Sequence, residues 1–251
     1  MSPGLASVVV FLCTFGAGLL GTFVHHRIPD RHLNPESKDV VRLGMGLVAT
    51  TVALVLGLLV ASAKGFYDTQ TAEVTQLSAN VVLLDRLLAH YGPETNDVRA
   101  VLRNNVAHQI ELIWPREGSQ KSDSQGGSHL GEALLDKIQV LSPKDDRQRS
   151  LQAQALTLAV QIGQTRLLMF EQRSVPVPRL LLTMLIFWLI ALFISFGLFA
   201  PPNLTVFAGL FVAAAAVCGA VFLILEMYYP YGGLIRVSDV PLRAALAQLG
   251  Q

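Results

Sequence analysis

The chain has 251 residues, a formal net charge of +1 and a mean hydropathy of +0.47, with 52% hydrophobic and 15% charged residues. Such a polypeptide lies outside the usual soluble globular range, and its near-neutral balance gives no electrostatic reason to bind nucleic acid. Its two cysteines, Cys13 and Cys218, fall in apolar stretches where a small, weakly polar side chain simply packs, so they do not identify a redox compartment.

Four stretches carry no charged residue: Pro3–Val24, Leu43–Ala63, Leu180–Ala200 and Leu204–Leu225. Each has about the twenty residues that an α-helix needs to cross ~30 Å of hydrocarbon. Lipid offers the backbone no water, so helices that satisfy their own amides are expected at all four. Met1–Leu5 lacks the basic start of a cleaved signal, and no convincing small-x-small site precedes His25, so the first span is expected to be retained. The connector His25–Arg42 contains Pro29, Asn34 and Pro35 as breakers, which pairs the first two spans as a hairpin.

The segment that follows reads as helical. Val74, Leu77, Val81, Leu84 and Leu88 recur at spacings of three and four, predicting a helix over about Phe66–Tyr91 that continues out of the second span and stops at Gly92-Pro93. Val98, Leu102, Val106, Ile110 and Ile113 stripe a second helix over about Asn96–Trp114, with Pro115 beyond it. Arg116–Ser128 has loop composition, and a short helix is expected near Leu130–Leu141. Ser142-Pro143 and Asp145-Asp146 announce a long helix to about Arg173, striped by Leu151, Ala155, Leu158, Ile162, Thr165 and Leu168. Its near-heptad spacing fits a coiled-coil seam, and also helices packed within one bundle.

Pro201-Pro202-Asn203 leaves room only for a tight turn between the last two spans, making a second hairpin. The predicted protein is therefore all-α and integral to the membrane. Residues 1–63 form the first transmembrane hairpin, 64–179 a helical extramembrane domain, 180–225 the second hairpin and 226–251 a tail. Four crossings place both termini and the helical domain on one side. Phe66 and Tyr67 leave the second span where Tyr228, Tyr229 and Tyr231 leave the fourth, as rings at one water boundary should. Arg27, Arg31, Lys38 and Arg42 flank one side; Lys64, Arg166, Arg173, Arg179, Arg236 and Arg243 flank the other. The count sets the helical domain in the cytoplasm of a cell with its spans in the inner (plasma) membrane, although the first span read alone points the other way.

Small residues define the candidate functional face. Ala49, Ala53, Gly57 and Ala61 repeat every four residues in the second span, with Gly46 and Thr50 on an adjoining stripe. Such a face either packs closely against another helix or surrounds an oligomer axis, where Gly46, Thr50, Ala53 and Gly57 would line a constriction. Thr14, Gly18 and Thr22, and Gly209 and Ala213, offer small faces on the first and fourth spans, whereas the third span is bulky all round and reads as the lipid-contacting one. Lys64, Asp68 and Glu226 are candidate mouth charges, with a solvated carboxylate as the plainer role for the acidic pair. No Asp, Glu, Lys, Arg or His lies within a span, which disfavours an ion-coupled carrier but not a passive channel. His25, His26 and His32 lack a completing ligand set, so no metal is expected, and no catalytic or cofactor-binding motif is present.

Several runs resemble a bacterial bestrophin-like membrane protein family of unknown function. They are Leu56-Gly57-Leu58-Leu59, Ala61-Ser62-Ala63-Lys64, Tyr67-Asp68, Glu73-Val74, Leu83-Leu84-Asp85-Arg86, Tyr91-Gly92-Pro93, Glu111, Trp114-Pro115, the tail Tyr229-Pro230-Tyr231-Gly232-Gly233-Leu234-Ile235-Arg236-Val237-Ser238, and Pro241-Leu242. The resemblance implies a four-span protein with a helical domain, remotely similar to bestrophins, whose members are pentameric anion channels with the second span around the pore. The bestrophins' own ion-binding and gating motifs are not found here. The expected function is a homo-oligomeric passive channel for small anions. The alternatives are a non-conducting scaffold or sensory protein whose helical domain binds a partner and, third, an enzyme acting on lipids.

Overall fold

Each apolar stretch is a helix in the computed structural model, which describes residues 2–25, 27, 35–115, 126–172, 179–201 and 203–250. Those residues form α1 (Pro3–His25), α2 (Pro35–Tyr91), a 3-10 turn (Pro93–Thr95), α3 (Asn96–Ile113), α4 (Gly126–Gln139), α5 (Asp146–Gln172), α6 (Arg179–Phe199), α7 (Leu204–Met227) and α8 (Val240–Gln248), with no strand among them. Four of the helices are long and apolar enough to cross a bilayer. The readings made on His26, Pro29, Arg31, His32, Asn34, residues 116–125, Arg173 and Pro202 lie outside the described residues.

Helix limits follow from local chemistry. The Asn203 side chain accepts from Val206 N at 2.9 Å and starts α7. Asp145 does the same for Gln148 N at 2.6 Å, just before α5. Gly92, at φ 140°, breaks α2, and Thr95 seals the turn by donating from Oγ1 to the Leu88 and Gly92 carbonyls at 2.5 and 2.8 Å. α4 begins at Gly126, inside the stretch read as loop.

The chain divides into two compact units, Met1–Tyr67 with Pro176–Ile235, and Asp68–Val175 with Arg236–Gln251. α2 is one uninterrupted helix that contributes to both.

In the first unit α1 lies close along α6 and α7. Gly21 and Gly197 make this possible: a Cβ on Gly21 would stand 2.2 Å from the Ile194 carbonyl oxygen, and one on Gly197 2.0 Å from that of Gly18. Thr14 and Thr22 are buried in the same face and return their hydroxyls to the Val10 and Gly18 carbonyls, so neither hydroxyl is left unpaired in the apolar setting. Leu185, Leu189, Leu192 and Phe193 of α6 form one core with Val52, Leu59 and Ala63 of α2 and with Leu210, Ala214 and Ile224 of α7. α6 is therefore a core helix of this unit, not the one most open to lipid. On α7 Ala214 is the small residue in this core, and Gly209 and Ala213 face outward.

In the second unit the sequence stripes are the core. Val74, Leu77, Val81, Leu84 and Leu88 are all exposed by 1% or less, and Val98, Leu102, Val106, Ile110 and Ile113 are buried too. α3 packs on α4 and α8, and α4 on α5, with Gln152 Nε2 closing the α4–α5 turn onto the Ile138 and Leu141 carbonyls at 2.8 and 2.9 Å. On α5 the buried positions are Ala155, Ala159, Ile162 and Met169; Leu168 is 54% exposed. The helix keeps its α-helical drift, which rotates Leu168 out and Met169 in, and so departs from the near-heptad seam at its C-terminal end.

Candidate functional site

Along the membrane part of α2 one side faces the core through Val52, Leu59 and Ala63, and the other side is open. Gly46, Thr50, Ala53 and Gly57 all lie on the open side, and a Cβ on Gly46 or Gly57 would meet nothing within 4 Å among the described residues. The Thr50 and Thr51 hydroxyls donate back to the Gly46 and Leu47 carbonyls at 3.0 Å each, leaving oxygen lone pairs on the surface rather than free O–H groups. Leu43, Leu47, Leu54 and Leu58 flank this face and are exposed. α2 is the least covered span: 11% of its most apolar window is buried, against 28% to 39% for the other three.

The candidate mouth charges have separate environments. Lys64 is exposed, with Nζ 5.9 Å from the centre of the Tyr67 ring. Asp68 is exposed at the start of the second unit. Glu226 is not solvated: it is 4% exposed and its Oε2 accepts from Leu234 N at 2.8 Å and Ile235 N at 3.4 Å. Gly233, at φ 77°, allows this, since a Cβ there would lie 2.2 Å from Glu226 Oε2. The Gly-Gly-Leu-Ile run thus folds back over a buried carboxylate at the end of α7. The interfacial rings meet nearby, with Phe66 stacked on Tyr228 at 5.5 Å and the Tyr228 hydroxyl 3.2 Å from Ser62 Oγ.

Other motif residues brace the second unit. Asp85, 2% exposed, accepts two bonds from Arg99, at 2.8 Å from Nε and 2.9 Å from Nη2, and a longer one from Gly250 N at 3.3 Å. That pairing pushes the Arg99 pKa up. Trp114 Nε1 donates to the Val237 carbonyl at 2.9 Å. Glu73 accepts from Gln172 at 3.0 Å and from Gln70 at 3.3 Å, and the two glutamines bond each other. Neither the Asp85–Arg99 pair nor the Glu73 cluster emerges from the sequence reading. The available signal is a polar residue on an apolar stripe: Asp85 is four after Val81, and Gln70 four before Val74.

His25 Nδ1 donates to the Leu198 carbonyl at 2.7 Å, tying the end of α1 to the end of α6.

A family model described as the Bestrophin-like domain matches residues 12–242. Among solved structures the chain is similar to a crystal structure of a bacterial bestrophin homolog from Klebsiella pneumoniae determined with a mutation, at 12% identity and a TM-score of 0.62, covering 97% of this chain and 99% of that one. At that identity the likeness concerns the fold. No curated protein matches the chain. An all-helical architecture with four bilayer-length helices agrees with both findings, and the matched family model spans nearly the whole sequence: the chain belongs to the Bestrophin-like family.

Proposed function

We propose that the protein is a homo-oligomeric passive anion channel of the inner membrane, with the open face of α2 around the axis and the helical unit and both termini in the cytoplasm. The observation that supports this reading is the uncovered side of α2, where Gly46, Thr50, Ala53 and Gly57 leave a narrow, smooth surface on the span its own chain buries least. An apolar constriction of this kind can gate by dewetting, and Lys64 supplies a cation near one end of the span. Family membership and the bestrophin-like fold point the same way.

Purified oligomers in planar bilayers are expected to carry an anion-selective current that Thr50→Trp largely blocks. Well-folded oligomers that stay silent would overturn the proposal. A scaffold or sensory role is the second reading, and the exposed apolar side chains of α5, Val160, Leu167, Leu168 and Phe170, favour it. Crosslinking that recovers a stoichiometric partner from non-conducting particles would establish that alternative.

A further inference from the structure

We infer that the groove between α2, α6 and α7 at the connector end of the first unit binds the acyl chain of an anionic phospholipid, with the headgroup phosphate on Arg42. This rests on the protein being embedded in a bilayer and requires the edge of α2 at Gly46, which also lines the groove, to meet lipid rather than the pore.

The groove holds about 430 Å³, within the usual range for a ligand site. Its walls are apolar, from Met45 and Ala49 on α2, Phe196 and Phe199 on α6, and Leu210 on α7. Arg42 is the one charged group among its described lining residues, and Ser195 the one side-chain hydroxyl. Both chain directions place the rim at a membrane surface: Arg42 is the residue before the charge-free stretch of α2, and Phe199 is the last residue of α6. An occupant must therefore be greasy along its length and negative at its tip, which is the build of an acidic lipid and not of a soluble anion.

Among the described residues two features could oppose an anion there, and neither cancels Arg42. Asp39 stands 3.7 Å from Arg42, but both side chains are more than half exposed, so this is a loose pair that a phosphate can displace. The α6 C-terminus brings its negative end to the rim while α7 brings its positive N-terminus, Val206 being a lining residue, so the two helix ends offset each other. The Leu198 carbonyl is in any case occupied by His25.

The test uses the full-length protein, delipidated in detergent and exposed to equimolar dioleoyl phosphatidylglycerol and dioleoyl phosphatidylcholine, with retained lipid counted by native mass spectrometry. One tightly held lipid per chain is expected, with phosphatidylglycerol favoured about fivefold, the worth of one basic side chain near an anionic headgroup. Arg42→Gln, at an exposed position, should equalise the two lipids without removing the bound chain. Asp39→Asn should sharpen the preference, and Ala49→Phe should displace the lipid. Equal retention of both lipids by the unaltered protein would overturn the inference, as would an unchanged preference in Arg42→Gln. So would an oligomer that retains no lipid and dissociates in Ala49→Phe, because the groove would then be filled by a second copy of the chain.

Discussion

At the residue scale, the motifs that carry the family resemblance hold local structure together. Asp85 is bound by Arg99 across the turn between α2 and α3, and its burial means that truncation strands a guanidinium. Asp85→Ala is expected to cost about 2–3 kcal/mol in chemical denaturation, below the full value for a buried pair because Arg99 keeps 15% exposure. Tyr91 is a contrasting case. It is 5% exposed, and its hydroxyl has no hydrogen-bond partner among the described residues. Burial first, then the Glu94 carboxylate, raises its pKa above the ordinary tyrosine value of 10.0. A folded-state pKa above the unfolded one means that the stabilisation is fully present below pH ~10 and is lost as pH rises through the folded value. Tyr91→Phe should therefore leave stability at pH 7 unchanged or raise it by up to about 1 kcal/mol, and should remove part of the alkaline loss measured by circular dichroism.

At the element scale, two glycine-bearing helix faces look alike in sequence and differ in structure. α1 and α6 touch backbone to backbone through Gly18, Gly21 and Gly197, whereas on α2 a Cβ at Gly46 or Gly57 would meet nothing within 4 Å among the described residues. Gly197→Ala should destabilise the first unit by about 1–3 kcal/mol, since its new methyl has only backbone to push against. Gly57→Ala should leave the isolated chain unharmed, or stabilise its helix by roughly 0.5–1 kcal/mol. Thermal unfolding in detergent distinguishes the two, and a Gly57→Ala effect that appears only in the assembled particle would locate that face at a subunit contact. Helix periodicity alone could not separate these faces, because spacing identifies residues that share a side of a helix but not what stands opposite.

For the molecule as a whole, membrane sidedness is the property that charge counting leaves most finely balanced. Val140, 80% exposed beside the end of α4, is a suitable place for a reporter thiol, since Cys13 and Cys218 lie within spans. With the helical unit in the cytoplasm, Val140→Cys should resist an impermeant maleimide in intact cells and react after permeabilisation. Labelling in intact cells would reverse the proposed orientation. The division of the tail bears on the same scale. Residues through Ile235 belong with the first unit, where Glu226 holds their amides, and residues from Arg236 onward belong with the second, where Val237 receives the Trp114 indole and Leu242 is buried. Read from sequence, the tail is a single appendage, because the two partners that divide it come from residues 8 and 123 positions away.

The sequence by itself determined the four spans, the helical character of the middle segment and the buried stripes of α2 and α3, because bilayer thickness and the 3.6-residue repeat act on neighbouring residues. Only the tertiary structure decided that α6 is a core helix, that α1 meets α6 through glycine, that Met169 and not Leu168 turns inward, and that Glu226 is buried under the tail. Each of these depends on which surface lies opposite a given side chain, and that is set by packing between segments far apart in the chain.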